Sequence, residues 1–187
     1  MLNELERNER LNQLGASDMH KLFNFNNKGA QDLWKEKIGE ITRDEITTKV
    51  FTAGNLLEED CLNYYFKQKG IHDYKLNERV AHPSIENFVV STDGTYNGIP
   101  VEHKTINIEK FKTLDKPERN HYIQVHAQAC CLQSEQGIIV YSAVTEEDLE
   151  NPLLYQPSSL LQEEFVIELD QDLVAAIESR AEYFLWC

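Results

Sequence analysis

The stretch Ser91-Thr92-Asp93-Gly94-Thr95-Tyr96-Asn97-Gly98-Ile99-Pro100-Val101-Glu102-His103-Lys104 constrains the fold more than any other part of the chain. An Asn-Gly pair between two strand-forming runs is the strongest short-range hairpin signal, because both turn residues must take positive φ. A two-residue turn also fixes register. Tyr96 is predicted to face Ile99, then Thr95 Pro100, Gly94 Val101, Asp93 Glu102, Thr92 His103 and Ser91 Lys104. Side chains alternate along a strand, so Ser91, Asp93, Glu102 and Lys104 are predicted on one face and Val90, Thr92, Val101 and His103 on the other.

Directly opposed residues have Cβ atoms about 4.5–5.5 Å apart, and like charges so placed destabilise the pair unless something neutralises them. Carboxylates completed by water and substrate phosphate suit Mg²⁺, with Mn²⁺ as an alternative. A protonated lysine cannot ligate a metal, but it can hold or activate a water and offset charge building on a phosphate. That combination cleaves phosphodiesters. The ordinary alternative is an exposed hairpin in which Glu102 and Lys104 neutralise each other.

Periodicity and punctuation place the remaining elements. Helices are predicted over 2–14, from Ser17, over 30–39, from 44 to 69 with a stop at Gly70, over 118–133 and over 171–185. Strands are predicted over 73–80, 86–93, 99–106, 137–144 and 163–169. This order implies an α/β fold, with a central mixed sheet flanked by helices. In the helix ending before Gly70, Glu58 shares a face with Cys61, Leu62 and Tyr65, while Glu59 and Asn63 point to water. A glutamate on an apolar face needs a partner, which favours Glu58 over Glu59 or Asp60 as a site residue. In the helix over 118–133, His121, Gln124 and Gln128 form one stripe, with Tyr122, Val125, Ala129 and Leu132 on the buried one. Neutral amides orient a water or phosphate without disturbing a metal, and Gln124 is preferred to Gln128 for that work. His121 and His126 read as surface residues, and His103 as pointing away from the carboxylates.

Together these segments resemble the PD-(D/E)XK nuclease superfamily, whose core matches Asp93 and Glu102-His103-Lys104. Further blocks resemble its YqaJ-like viral recombinase branch, the lambda-type exonucleases. They are Arg10 with Leu14-Gly15-Ala16-Ser17-Asp18, then Leu33-Trp34-Lys35-Glu36-Lys37-Ile38-Gly39, Gly54-Asn55-Leu56-Leu57-Glu58 and Tyr122-Ile123-Gln124-Val125-His126-Ala127-Gln128. The resemblance implies Asp93, Glu102, Lys104 and Gln124 as catalytic residues. It implies Glu58, Asp93, Glu102 and the His103 carbonyl as metal ligands. It also implies a pocket for the 5′-phosphate of a DNA end built from Arg10, Ser17 and Ser91, where guanidinium and hydroxyls grip the phosphate. Ser17 as an ordinary helix cap and Arg10 as a solvated helix residue are the plain alternatives. A homo-oligomer, in the form of a trimeric ring around DNA, and a single-strand annealing protein as partner are implied in the same way.

A chain of 187 residues is most simply one domain, here a nuclease domain over 1–187. Its net charge of −14 runs against nucleic-acid binding, which normally leaves a basic footprint. The charge is uneven. Residues 1–132 hold seventeen Lys and Arg against twenty Asp and Glu, whereas residues 133–187 hold only Arg180 against twelve acids. DNA is therefore expected over the first two thirds, near Arg7, Arg10, Lys21, Lys110, Lys112, Lys116 and Arg119. The acidic part from about 133 faces away from DNA, faces a basic partner, or merely keeps the protein soluble. The sequence holds no apolar run long enough for a bilayer and no basic-apolar leader, so the expected location is cytoplasmic. Cys61, Cys130, Cys131 and Cys187 lack Cys-x-x-Cys spacing, which argues for reduced thiols and against a zinc or iron–sulfur site.

The reading is a Mg²⁺-dependent exonuclease that degrades one strand of double-stranded DNA 5′ to 3′ and leaves 3′ overhangs. The rival readings are an endonuclease of the same superfamily and a non-enzymatic acidic interaction protein.

Overall fold

The computed structural model describes residues 11–23, 28–42 and 49–187. Its helices are α1 (Met19–Leu22), α2 (Lys28–Lys37), α3 (Lys49–Gln68), α4 (Ile108–Phe111), α5 (Arg119–Leu132), α6 (Glu146–Glu150) and α7 (Gln171–Trp186). Five strands, β1 (Lys75–Ala81), β2 (Val89–Tyr96), β3 (Ile99–Asn107), β4 (Gln136–Val144) and β5 (Gln162–Glu168), form one sheet in that spatial order. Neighbours are antiparallel except β3 with β4, which run parallel. Parallel neighbours need a long crossover, and α4 and α5 supply it. The predicted helix over 2–14 lies mostly outside the described residues, as does the start of the helix over 44–69.

The termini follow from local chemistry. Gly70, at φ 67°, turns the chain after α3, and the amide of Ile71 returns to the carbonyl of Phe66 at 2.9 Å. Asp170 caps α7 by accepting from the amides of Asp172 and Leu173. Asn97 and Gly98 both take positive φ, 51° and 77°, as a two-residue primed turn requires.

Helices cover both faces of the sheet. On one, Leu62, Tyr65 and Phe66 of α3 pack against Val101, Ile138 and Val140. On the other, Val125 of α5 packs with Ile106, Ile139, Tyr141 and Ile167. Ile123, Ala127 and Cys131 carry that face on to Leu14, Met19 and Leu22 and to Ile177, Ala181 and Phe184 of α7. β4 is buried from Gly137 to Val144, which explains its unbroken apolar run. At Gly137 an added Cβ would stand 2.6 Å from Cγ2 of Val125, so the absent side chain lets α5 lie against the sheet. Cys61, Cys130 and Cys131 are buried free thiols, and Cys187 is exposed. Among the described residues, no helix is long and apolar enough to cross a membrane.

The hairpin follows its predicted register only part of the way. Tyr96 pairs with Ile99, Thr95 with Pro100 and Gly94 with Val101, and there the ladder stops. The β1–β2 ladder also skips Asp93, opposite which Asn77 adopts a left-handed φ of 54°. The even alternation of side chains fails at the same place. Gly94 lies against Phe66, on the side of Val101, whereas Val90 joins the α5 core instead of sharing that side. Once β2 leaves β3, its pleat is no longer tied to that of β3.

Candidate active site

Glu102 is at the centre of the gap left where the two strands part. It is fully buried on β3, yet four side-chain donor contacts converge on it or its neighbours. Lys104 Nζ and Gln124 Nε2 both donate to its Oε1, the latter at 2.6 Å, while Gln128 Nε2 donates to its Oε2. Gln128 Nε2 also donates to the carbonyl of Ser91 at 2.9 Å. Asp93 does not pair with Glu102 through the backbone. Its Oδ2 instead accepts the amide of His103 at 2.7 Å, occupying a donor that the interrupted ladder has released.

Charges explain why these groups need one another. Burial, then the charge of Glu102, raises the Asp93 carboxyl well above the usual carboxylate range; Lys104, and the bond from the His103 amide, work against this rise. Glu58, half-buried on α3, is raised by burial and then by Glu102, with Lys104 again opposing. Burial disfavours the Lys104 ammonium, but Glu102, Asp93 and Glu58 outweigh it and hold the group above its ordinary range. Glu59 and Asp60 are exposed, so of the three acids it is Glu58 that the helix turns toward Glu102 and Lys104. Three acids around one ammonium leave two negative charges when all are ionised, and the resistance of Asp93 and Glu58 to ionisation measures that excess. Such a set of carboxylates fits a divalent cation.

The back of β3 is tied down as firmly. His103 is buried, its Nε2 lies 2.9 Å from Ser142 Oγ, and burial together with Lys104 lowers its pKa to about 3. Gln162 Nε2 donates at 3.0 Å both to Ser142 Oγ and to the carbonyl of Cys61, one turn beyond Glu58 on α3. A polar chain thus connects the strand of Glu102 to the helix of Glu58. It was not visible in the sequence, because its members come from four separate elements.

The other predicted residues are placed unevenly. Ser91 is exposed and meets the cluster through its carbonyl. Ser17 is exposed in the 3₁₀ turn Ala16–Asp18, whose N-cap is Gly15, so it caps no helix by its side chain. That turn is held beside the start of β2, because Leu14 and Phe88 bridge and the Val89 amide donates to the Leu14 carbonyl at 3.0 Å. Arg10 and Arg7 lie outside the described residues. Lys110 and Lys112, expected near DNA, are ion-paired with Glu118 at 2.6 Å and Glu109 at 2.7 Å.

Two histidines were misjudged. His126 is buried, with Nδ1 2.8 Å from the Tyr122 carbonyl and Nε2 accepting the Asp170 amide at 3.1 Å, so it joins α5 to the start of α7. His121 is half-buried, with Nδ1 2.8 Å from the Tyr141 hydroxyl; burial and then Lys104 lower its pKa to about 4.

Among the described residues, a second cluster draws a metal-site comparison. Ligand atoms of His82, Cys130 and Glu178 all lie within 4.8 Å of one another. Proton accounting argues against a metal there. His82 Nδ1 accepts the amides of Ile85 at 3.0 Å and Ser84 at 3.3 Å, so the proton of the neutral ring sits on Nε2, facing Glu178 at 3.2 Å. Burial, then Glu178, pushes the Cys130 thiol up to about 12, so it stays protonated.

The description YqaJ-like viral recombinase domain belongs to a family model that matches residues 7–135. No curated protein matches the chain. The fold is similar to that of an alkaline exonuclease, LHK-Exo, from Laribacter hongkongensis, with TM-score 0.75 and 20% identity over 95% of this chain and 88% of that one. The structure of LHK-Exo in complex with dAMP gives the same TM-score at 23% identity, with the same coverage of both chains. A phage related exonuclease from Haemophilus somnus 129PT matches with TM-score 0.71 and 16% identity over 92% of this chain and 93% of that one.

Proposed function

Because the chain belongs to the YqaJ-like viral recombinase domain family, we propose that it is a Mg²⁺-dependent double-stranded DNA exonuclease. It works 5′ to 3′ from a phosphorylated end and leaves 3′ single-stranded overhangs, with Mn²⁺ able to replace Mg²⁺. The observation that carries this reading is the buried Glu102 carboxylate, held by Lys104, Gln124 and Gln128 beside the hard-to-ionise Asp93 and Glu58.

Glu58, Asp93, Glu102 and the carbonyl of His103 are the groups that would hold the ion. When bound, a divalent ion supplies Lewis-acid stabilisation of charge on the phosphate and the leaving 3′ oxygen. Gln124 and Gln128 fix the Glu102 carboxylate so that no reorganisation is needed during reaction. Lys104 holds the attacking water and offers its protons to the phosphate. The acids around it favour that role over accepting the water's proton, because they keep it charged. Arg10, Ser17 and Ser91 bind the terminal 5′-phosphate. Lys110 and Lys112 exchange their carboxylate partners for phosphate when DNA arrives. The family reading extends to a ring-shaped homo-oligomer and a single-strand annealing partner, which mass measurement in solution and co-purification would test.

The central experiment compares linear duplex carrying 5′-phosphate, linear duplex carrying 5′-hydroxyl and closed circular duplex, with Mg²⁺, for the wild type, Asp93→Ala and Lys104→Ala. The wild type is expected to degrade the phosphorylated ends fastest and to spare circles, and both variants to be inactive. Cutting of circles would establish the endonuclease reading instead. Full activity in either variant would end the active-site assignment, and an inert wild type that captures a basic protein would favour the interaction reading.

A further inference from the structure

We propose that Gln128 is a positioning residue that sets the DNA-end subsite against the metal-holding carboxylates. It does so by grasping the Ser91 carbonyl and the Glu102 carboxylate with one amide. The inference rests on the reading of Ser91 as part of the 5′-phosphate subsite.

The geometry leaves little freedom. A carbonyl and a carboxylate are both acceptors, so only the NH₂ end of Gln128 can serve them, and its two protons are both used. The β2–β3 ladder ends at Gly94 and Val101, so Ser91 lies beyond the last backbone pair that joins β2 to β3. The amide of Gln128 is therefore a tie between β2 and β3 beyond that pair. Holding the carbonyl also fixes the backbone from which the Ser91 hydroxyl springs. Gln124, one turn earlier on α5, binds the other oxygen of Glu102 at 2.6 Å and makes no bond to Ser91. The two glutamines thus share one task and differ in another.

A purely structural residue would be built differently. Gln128 is fully buried, and its Oε1 has no hydrogen-bond partner. Leaving such an acceptor unsatisfied costs stability, a cost an apolar side chain of the same length would not carry. The polar group is kept at a cost in stability, in line with a demand for position.

The test is steady-state digestion of 5′-phosphorylated and 5′-hydroxyl linear duplex by Gln128→Met, Gln124→Met, Ser91→Ala and the Ser91→Ala/Gln128→Met double variant. Gln128→Met is expected to lower the 5′-phosphate preference in kcat/KM by at least about tenfold, the scale of a lost bond to a charged group. Gln124→Met should lower kcat on both substrates by one factor and leave the preference intact. In the Ser91→Ala background, Gln128→Met should change the preference no further. Should Gln128→Met fail to fold, Gln128→Glu, equal in size, takes its place with the same expectation. An unchanged preference in the Gln128 variant, with both glutamine variants slowed alike, would overturn the proposal and leave the exonuclease reading standing. A wild type that digests DNA without regard to the 5′-phosphate would remove the subsite itself, overturning both.

Discussion

Replacing Asp93 by Asn should inactivate the protein and make it more stable. Asp93 is held in a place where burial, Glu102 and Glu58 all oppose its charge, and only Lys104 and the His103 amide favour it. Each tenfold rise in proton affinity on folding corresponds to about 1.4 kcal/mol in favour of a neutral group. Asn keeps an oxygen for the His103 amide, at a loss of about 0.5–1 kcal/mol for exchanging a charged acceptor for a neutral one. A net gain is therefore expected in metal-free buffer, seen as a rise in Tm, each 1 kcal/mol of gain corresponding to about 2–4 °C for a chain of this size. The pH dependence gives the sharper check. Because the folded-state pKa of Asp93 lies above its unfolded value, the native state binds more protons than the unfolded state between the two. Wild-type stability thus falls as pH rises through that window. The advantage of Asp93→Asn should be full above the window and vanish as pH falls toward the unfolded carboxylate value near about 3.9. Added Mg²⁺ should stabilise the wild type and have little effect on the variant. Calorimetry of both proteins from pH 4 to pH 8, with and without Mg²⁺, makes the comparison. A variant that melts below the wild type at pH 8, or an advantage that does not shrink on acidification, would refute the electrostatic reasoning.

Lys104→Met should act in the opposite direction on stability, because it leaves Glu102 buried beside Asp93 without an ammonium. A loss of about 1–3 kcal/mol, discounted for the partial exposure of Lys104, and at least about 100-fold in kcat are expected by chemical denaturation and digestion assays. An unaltered midpoint would contradict this. His103, with its pKa lowered to about 3, should show a neutral imidazole by NMR from pH 8 down to pH 5. Its folded value lies below the unfolded one, so it contributes stability that is lost as pH falls through the unfolded histidine range near about 6.5. A His103 ring that titrates near pH 6–7 would refute its burial. Gly137→Ala should cost about 1–3 kcal/mol and lower activity, because the new Cβ would push Val125, and α5 with its two glutamines, off the sheet. Combined with Val125→Ala it should cost less than the two separately; strict additivity in thermal melts would disprove the contact.

What the sequence revealed and what it hid have different physical origins. The Asn97-Gly98 turn specified three cross-strand pairs because turn geometry is local. That Glu58 turns inward while Glu59 and Asp60 stay exposed was legible because a helical face is set by spacing alone. Spacing does not say what stands opposite a face. Gln128 was ranked below Gln124, yet it makes two bonds in the cluster, because the Ser91 carbonyl that it grips is 37 residues away. His126 was read as exposed because nothing nearby announces the Asp170 amide, 44 residues on, that buries it. The parting of the strands at Asp93 was equally hidden, since a regular hairpin would have continued the ladder.

That parting makes incomplete pairing a requirement of the fold. A zipper closed by one more tooth would hand the His103 amide to the Thr92 carbonyl and draw Ser91 back into register, leaving Asp93 and Gln128 without their present grips. Sequence changes that improve the hairpin as a hairpin are therefore the ones most dangerous to catalysis. Laboratory selection for heat resistance alone should drift toward them.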